Sequence, residues 1–433
     1  MRASSPIALT RGSRRHEGLY FRVGHIDHVG LIRLIAERKL HTHGLVLDAR
    51  WHERHKVLRQ HADQAGIATC LDTQAMELVM PGTASKGHAD LPWAGEDVRV
   101  PEDFSPKRVE EFIGAIVTRT AQGAYRQVMA PAHYLSDISS DWLDVDCALT
   151  SELRTQLDAA GQDEVRIIYP LAVHHSVFYD AGSRAILVQA LRALPVDGIT
   201  VRVHPFGSSS GPHVMRSFIE ACWDLRRVET PLMVERAGIA GLSAYALGAV
   251  DLVESGITAG DSFDVGSLQQ PAKKSDKPSF PRPPRVYVEA LGMTVDCKVA
   301  AALLSSPRGK VSFACKEQAC CPNGYRDMLE DYGRHSALAR QRQYLQLSKV
   351  PPAMRAEYFI QSLISPVCDM LGRARDLHES FKHAHQRTLS VKEVLVDLQR
   401  EQSRMHAQST PASSEPRAVA KVIPLIPREP RGR

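Results

Sequence analysis

Asp-Gly-Ile-Thr-Val-Arg-Val-His (197–204) runs into Pro-Phe-Gly-Ser-Ser-Ser-Gly (205–211); beyond a helical stretch comes Pro-Leu-Met-Val-Glu (231–235). A second helical stretch leads to Val-Asp-Leu-Val-Glu (250–254). Short runs rich in Val, Ile and Leu suit strands covered on both faces, and their alternation with helices makes a parallel sheet. Further runs with the same character lie upstream, over 44–48, 67–72, 126–131 and 165–170, and one lies downstream over 285–290. About eight such units predict a closed (β/α)8 TIM-like barrel, which takes roughly 250 residues. An open doubly wound sheet is the alternative, but no Gly-rich dinucleotide fingerprint follows the first strand.

The remaining sequence divides around that barrel. A chain of 433 residues, 43% apolar and 24% charged, can bury a large core and carry an appended part. Residues 1–16 read as a flexible basic start, 17–268 as the main part of the barrel, and 269–284, dense in Pro, Lys and Ser, as a linker. Residues 285–345 would hold the last strand and a Cys/His subdomain, 346–405 a helical region, and 406–433 a disordered tail. The loop over 80–106 is placed to act as a lid or specificity loop. The net charge of +5 permits a polyanionic partner without requiring one. No stretch is long and apolar enough to span a bilayer, so no membrane partner is expected. The eight cysteines lack a secretory framework, and the basic N-terminus lacks an apolar signal core. Both point to a reducing, cytoplasmic setting.

The strongest chemical signal is positional. Asp48, Asp72, His204, Glu235 and Glu254 end predicted strands; His133, Tyr134 and Asp137 follow the third, and His174 and His175 the fourth. Convergence of polar groups at carboxyl strand ends is how a barrel builds an active site. Capping of the following helices explains any one of these residues as well, but explains the whole set poorly. His41 and His43 form an HxH pair, yet they precede a strand and belong at the opposite end. Cys315, Cys320 and Cys321, with His335 downstream, offer thiolates and an imidazole for a tetrahedral ion, or form a cluster of reduced thiols.

The segment 197–260 resembles the tRNA-guanine transglycosylase superfamily. Pro231-Leu-Met-Val-Glu235 and Gly248-Ala-Val-Asp-Leu-Val-Glu-Ser255 are similar to its "LMGVG" and "GIDMFDCV" motifs, which sets Glu254 on the catalytic nucleophile and Asp251 on the preceding Asp. Leu71-Asp72-Thr-Gln-Ala-Met76 is similar to its "DSGGFQ". The resemblance implies a structural zinc held by Cys315, Cys320, Cys321 and His335, although the cysteine spacing differs from the family's CxCxxC. The family's "GIVQGG", "GGLAVGE" and "RNARHG" segments, which read guanine and the anticodon, are missing. That suits a divergent, DNA-directed branch associated with phage defence.

The resemblance implies an enzyme that cleaves an N-glycosidic bond in a nucleic acid, DNA favoured over tRNA, as a glycosylase or a base-exchanging transglycosylase. A carboxylate opposing the developing oxocarbenium ion is assigned to Glu254, and protonation of the departing base to Asp72 or Asp137. His133, Tyr134, His174, His175, Arg202 and His204 would hold the flipped base. Arg216, Arg226, Arg227 and Arg236, together with Arg202, are candidates for phosphate contacts. The alternatives are a metal-dependent small-molecule hydrolase using the barrel histidines, a tRNA-guanine transglycosylase proper, and a non-catalytic nucleic-acid-binding barrel.

Overall fold

The computed structural model describes residues 17–83, 87–95, 99–258, 261–270 and 284–409. Eight parallel strands close into a barrel: β1 (Gly18–Val23), β2 (Gly44–Asp48), β3 (Ala68–Asp72), β4 (Gln127–Met129), β5 (Arg166–His174), β6 (Gly198–His204), β7 (Leu232–Val234) and β8 (Leu252–Gly256). Each pairs in parallel with its sequence neighbours, and closure comes from β8 against β1, with Glu254 opposite Tyr20. The (β/α)8 expectation therefore holds.

Two strand assignments need correction. The first strand is Gly18–Val23, absent from the expected set, and Arg285–Val288 is outside the barrel. Arg285–Val288 pairs antiparallel with Met293–Asp296 through a tight turn at Gly292, whose φ is +60°. A hairpin needs only its own turn, whereas a barrel strand must find two parallel neighbours. Arg22 explains why the first strand is hard to see: a charge inside a short apolar run argues against a buried strand until its partners are known.

Alternate residues of each strand share a face, so the barrel interior is layered. Tyr20, Val46, Cys70, Met129 and Met233 form an apolar layer, with Tyr20 lying over Gly44, where a Cβ would meet the ring at 2.2 Å. Two residues further along the strands, Arg22, Asp72 and Glu254 occupy the next layer, with Glu235 just beyond the end of β7. Beyond the strands' carboxyl ends, Met76, Met80, Tyr134, Phe263 and Val265 make a second apolar cluster. An ionic floor thus lies between a dry plug below and an apolar wall above.

The C-terminal helices share one apolar core with the barrel. The helix Lys382–Ser409 lies against Pro212–Leu225, where Arg216 bonds Glu401 at 2.8 Å, and Gln402 donates to the Leu247 carbonyl at 2.8 Å. It continues through Ser409, beyond the point where a tail was expected. The expected flexible start, most of the linker and the remainder of the tail lie outside the described residues. Among the described residues, no helix is long and apolar enough to cross a membrane.

Candidate active site

Arg22 reaches across the barrel and ties three strand ends together. Its Nε donates to Glu254 at 2.6 Å, and its Nη2 donates to Glu235 at 2.9 Å and to Glu254 at 3.2 Å; Nη1 is paired with Asp72. Arg202, from β6, pairs with Glu235 and donates to Asp72 at 3.2 Å. All five side chains are sealed, from 8% exposed at Arg22 to 0% at Glu254. Isolated charges would be prohibitively costly there, so each carboxylate has a guanidinium partner.

Arg236 also meets Glu235, at 3.1 Å, so the three carboxylates face three guanidiniums, and their protonation equilibria divide by burial and by which guanidiniums each one meets. Burial pushes the Glu254 carboxyl up to about 7 against the opposing pull of Arg22. Burial also acts to raise Asp72, but Arg22 and Arg202 outweigh it and hold that carboxyl below the usual range. The surroundings thus push the two carboxyls in opposite directions, Asp72 towards the anion and Glu254 towards the protonated form. These directions run opposite to the expected division of labour, in which Asp72 carried the proton and Glu254 the charge.

Glu77 is a site residue that sequence reasoning missed. Gln74 takes a left-handed conformation, φ +58°, and its N–H caps Asp72 Oδ1 at 3.1 Å. This turns the chain back, so the one-turn helix Ala75–Leu78 delivers Glu77 close enough to Asp72 to feel its charge. Burial first, and the Asp72 charge second, push the Glu77 carboxyl up to about 7. Its Oε2 is buried without a hydrogen-bond partner, and the residue is only half-buried overall. Arg236, beside Glu235, has φ +49°, so strained non-glycine backbone occurs at two strand ends of the mouth. The signal available in sequence was Glu77 five residues beyond Asp72; nothing there announced the turn.

The other predicted residues separate into rim, core and surface. Tyr134 joins the apolar wall with its hydroxyl buried and unpartnered, and burial pushes it up to about 12. His204 lies 6.1 Å from the Tyr134 ring, and His174 lies 6.0 Å from His204 and 4.1 Å from His175. Burial lowers both His174 and His204, against the raising pull of Asp264 on His204. His133 turns away from the mouth: it stacks on Trp142 at 3.9 Å, and its Nδ1 bonds Asp146 at 2.6 Å. Asp137 is exposed and accepts from the Ser139 N–H at 2.8 Å and hydroxyl at 2.6 Å, a turn cap far from any charged neighbour of the floor. Asp251 braces the amino end of β8, accepting from Leu232 N at 3.0 Å and Arg226 at 2.8 Å. Arg202 lies in the floor, and Arg216, Arg226, Arg227 and Arg236 are each ion-paired within the chain. His43 precedes β2 at the amino end, where its Nδ1 accepts from Leu19 N at 3.2 Å.

The Cys/His cluster assembles as a metal centre would. The ligand atoms of Cys315, Cys320, Cys321 and His335 all lie within 4.8 Å of one another. His335 Nδ1 is 3.4 Å from Cys320 Sγ and 3.3 Å from Cys321 Sγ, and those two sulfurs are 3.6 Å apart. Such separations are the edges of a tetrahedron with metal–sulfur bonds of about 2.3 Å. His335 Nε2 lies 2.8 Å from the Tyr287 carbonyl, an outer contact that puts the proton on Nε2 and leaves the Nδ1 lone pair for the ion. The residues present therefore fit a bound metal ion. Among the described residues, the barrel histidines form no comparable group.

No protein-family model matches the chain, and no curated protein matches its sequence. Solved structures share the barrel at low similarity. The GH10 xylanase from Bispora sp. MEY-1 is 10% identical, with 55% of this chain and 82% of that one covered and a TM-score of 0.37. The endo-1,4-beta-xylanase of Penicillium canescens is 11% identical over 56% and 83%, with a TM-score of 0.36. The 3-dehydroquinate dehydratase of Enterococcus faecalis is 10% identical over 56% and 90%, with a TM-score of 0.33. Likeness at this level says nothing about chemistry, which must be argued from the site.

Proposed function

We propose that the barrel mouth is the active site of an enzyme cleaving an N-glycosidic bond in a nucleic acid, DNA in preference to tRNA, on a divergent branch of the tRNA-guanine transglycosylase superfamily. The observation that carries this reading is the convergence of Asp72, Glu235 and Glu254 on Arg22 and Arg202 at the carboxyl ends of the strands, where burial and charge push neighbouring carboxyls in different directions. Asp72 is held anionic by two arginines, while Glu77 is pushed up to about 7 with one oxygen unengaged. Groups whose environments drive their pKa values apart are how a site assigns acid and base roles. Glu77 supplies the proton to the departing base, the Asp72 charge opposes the oxocarbenium ion, and water or an incoming free base then adds to the anomeric carbon and returns a proton to Glu77. Glu254 fixes Arg22 and, through it, the position of Asp72. Met76, Met80, Tyr134 and Phe263 pack as an apolar cluster beyond the strand ends, the side from which a flipped base would approach, with His204 6.1 Å from the Tyr134 ring.

Zinc is the ion proposed for the Cys315, Cys320, Cys321 and His335 centre. Four protein ligands close its coordination sphere, so when bound it supplies a structural cross-link.

The test is incubation with DNA and tRNA carrying modified or unmodified bases, assayed by mass spectrometry for free base and by aldehyde labelling for abasic sites. Base release from a modified DNA, lost in Glu77→Gln, is the expected result. Release from tRNA alone would show the polymer to be wrong. Release that survives both Glu77→Gln and Asp72→Asn would overturn the site.

A further inference from the structure

Of the four tryptophans, Trp93, Trp142 and Trp223 pack into or against the apolar core, and Trp51 joins no apolar cluster. It ends the short 3-10 turn Ala49–Trp51 that follows Asp48 at the carboxyl end of β2, and it is half-exposed. Three nitrogen-rich side chains surround it. The Arg50 guanidinium lies 5.6 Å from the ring, that of Arg54 lies 5.8 Å away, and the His25 ring stands edge-on at 4.4 Å and 67°. Asp48 holds Arg50 through both carboxylate oxygens at 3.0 Å, so Arg50 is committed to shaping the rim. Arg54, exposed and touching His25, keeps its charge available. Asp48 stands opposite Asp72 in the register of β2 and β3, so this cluster borders the mouth.

An indole that does no work in the core, flanked by cations, matches a nucleotide: a base for the ring face and a phosphate for the guanidinium. We infer that Trp51 is a stacking platform for the nucleotide adjoining the one that enters the barrel, with Arg54 on its phosphate. The inference rests on the reading of the mouth as a nucleic-acid site and supplies what that site lacked, a surface that grips the strand outside it. The indole accepts any base, so strand selection here is by backbone charge and stacking and not by sequence.

The experiment is fluorescence anisotropy of the full-length protein with fluorescein-labelled oligothymidylate and oligouridylate of about twelve nucleotides, within the span such grooves cover. Trp51→Ala should weaken binding by about tenfold or more on at least one polymer, because each stacked base contributes about 1–3 kcal/mol; the arm with the larger loss names the strand. Trp51→Phe should keep most of the affinity, and Arg54→Ala should reduce the log–log salt slope by about 0.7. Thermal melting of Trp51→Ala near the wild-type temperature excludes unfolding as the cause. Equal binding of wild type and Trp51→Ala to both polymers, or no binding by the wild type, overturns the platform. Trp51-dependent binding without base release from any substrate supports the platform and overturns the glycosidic reading instead.

Discussion

The Cys/His cluster takes its four side chains from one short stretch, residues 315–335, whereas the barrel mouth joins Arg22 to Glu254 across 232 positions of chain. Both places gather groups that would repel or desolvate one another, and each solves the problem differently. Thiols crowded at 3.6 Å can lose their protons together only to a cation from outside, while the carboxylates of the floor are neutralised by arginines that the fold itself brings in. A site of the first kind can be seen in ligand spacing. A site of the second kind exists only when the barrel has closed.

This contrast can be broken most sharply at the metal centre. Replacing Cys320 and Cys321 by Ser should cost several kcal/mol of stability and abolish stoichiometric zinc, since structural zinc contributes roughly 10–16 kcal/mol of binding free energy to folding. Unchanged melting and no zinc in purified protein would refute the external-cation half of the comparison.

At the mouth the cation is internal, so its removal should act on folding without any effect on metal content. Arg22→Met leaves Glu254 without its guanidinium, while Asp72 keeps Arg202 and Glu235 keeps Arg202 and Arg236, and breaking a buried pair costs about 3–5 kcal/mol. Glu254→Gln should cost clearly less, because Arg22 keeps Asp72 and Glu235 as partners. Equal losses in the two variants, measured by urea unfolding, would show that charge balance does not govern the floor.

The pH dependence sharpens the same point. Burial raises both Glu254 and Glu77 to about 7, above the ordinary carboxyl value near 4.5. The folded state therefore binds more protons than the unfolded chain in between. Their contribution is fully present below the unfolded pKa and is lost as pH rises through about 7. Stability should fall between pH 5 and about 7.5, and Glu254→Gln should flatten that fall. A stability curve that rises over this window in wild type would contradict the raised carboxyls. Base release should decline over the same range as Glu77 loses its proton, and Glu77→Gln should leave a low, flat profile.

The smallest effect is expected at Asp137, whose cap on Ser139 is exposed. Asp137→Ala should change stability by about 1 kcal/mol or less and leave turnover unchanged. A large loss of activity would return it to the chemistry.

Much of the mouth was visible in the chain before folding, in the acids that end β3, β7 and β8. A strand's last residues must face either the barrel axis or a helix, so position alone narrows their roles. His133 and Asp137 satisfied the same rule of position and failed it in space. One was drawn into the core by Asp146 and Trp142, and the other stayed in solvent as a turn cap. Glu77 was hidden because its placement depends on one left-handed residue, Gln74, that no pattern of residue types requires.

Hydrophobic periodicity by itself determined that this chain alternates strands and helices, since apolar runs of that length have no other stable burial. Local sequence named Cys315, Cys320, Cys321 and His335 as candidates for one site but left a cluster of reduced thiols open as the alternative, and the fold brought the four together. Only the tertiary structure decided that Gly18–Val23 is a barrel strand, that Arg22 is the hub of the floor, and which carboxyl keeps its proton. Those outcomes are sums of desolvation and Coulomb terms between residues far apart in sequence, and such sums have no value until closure sets the distances.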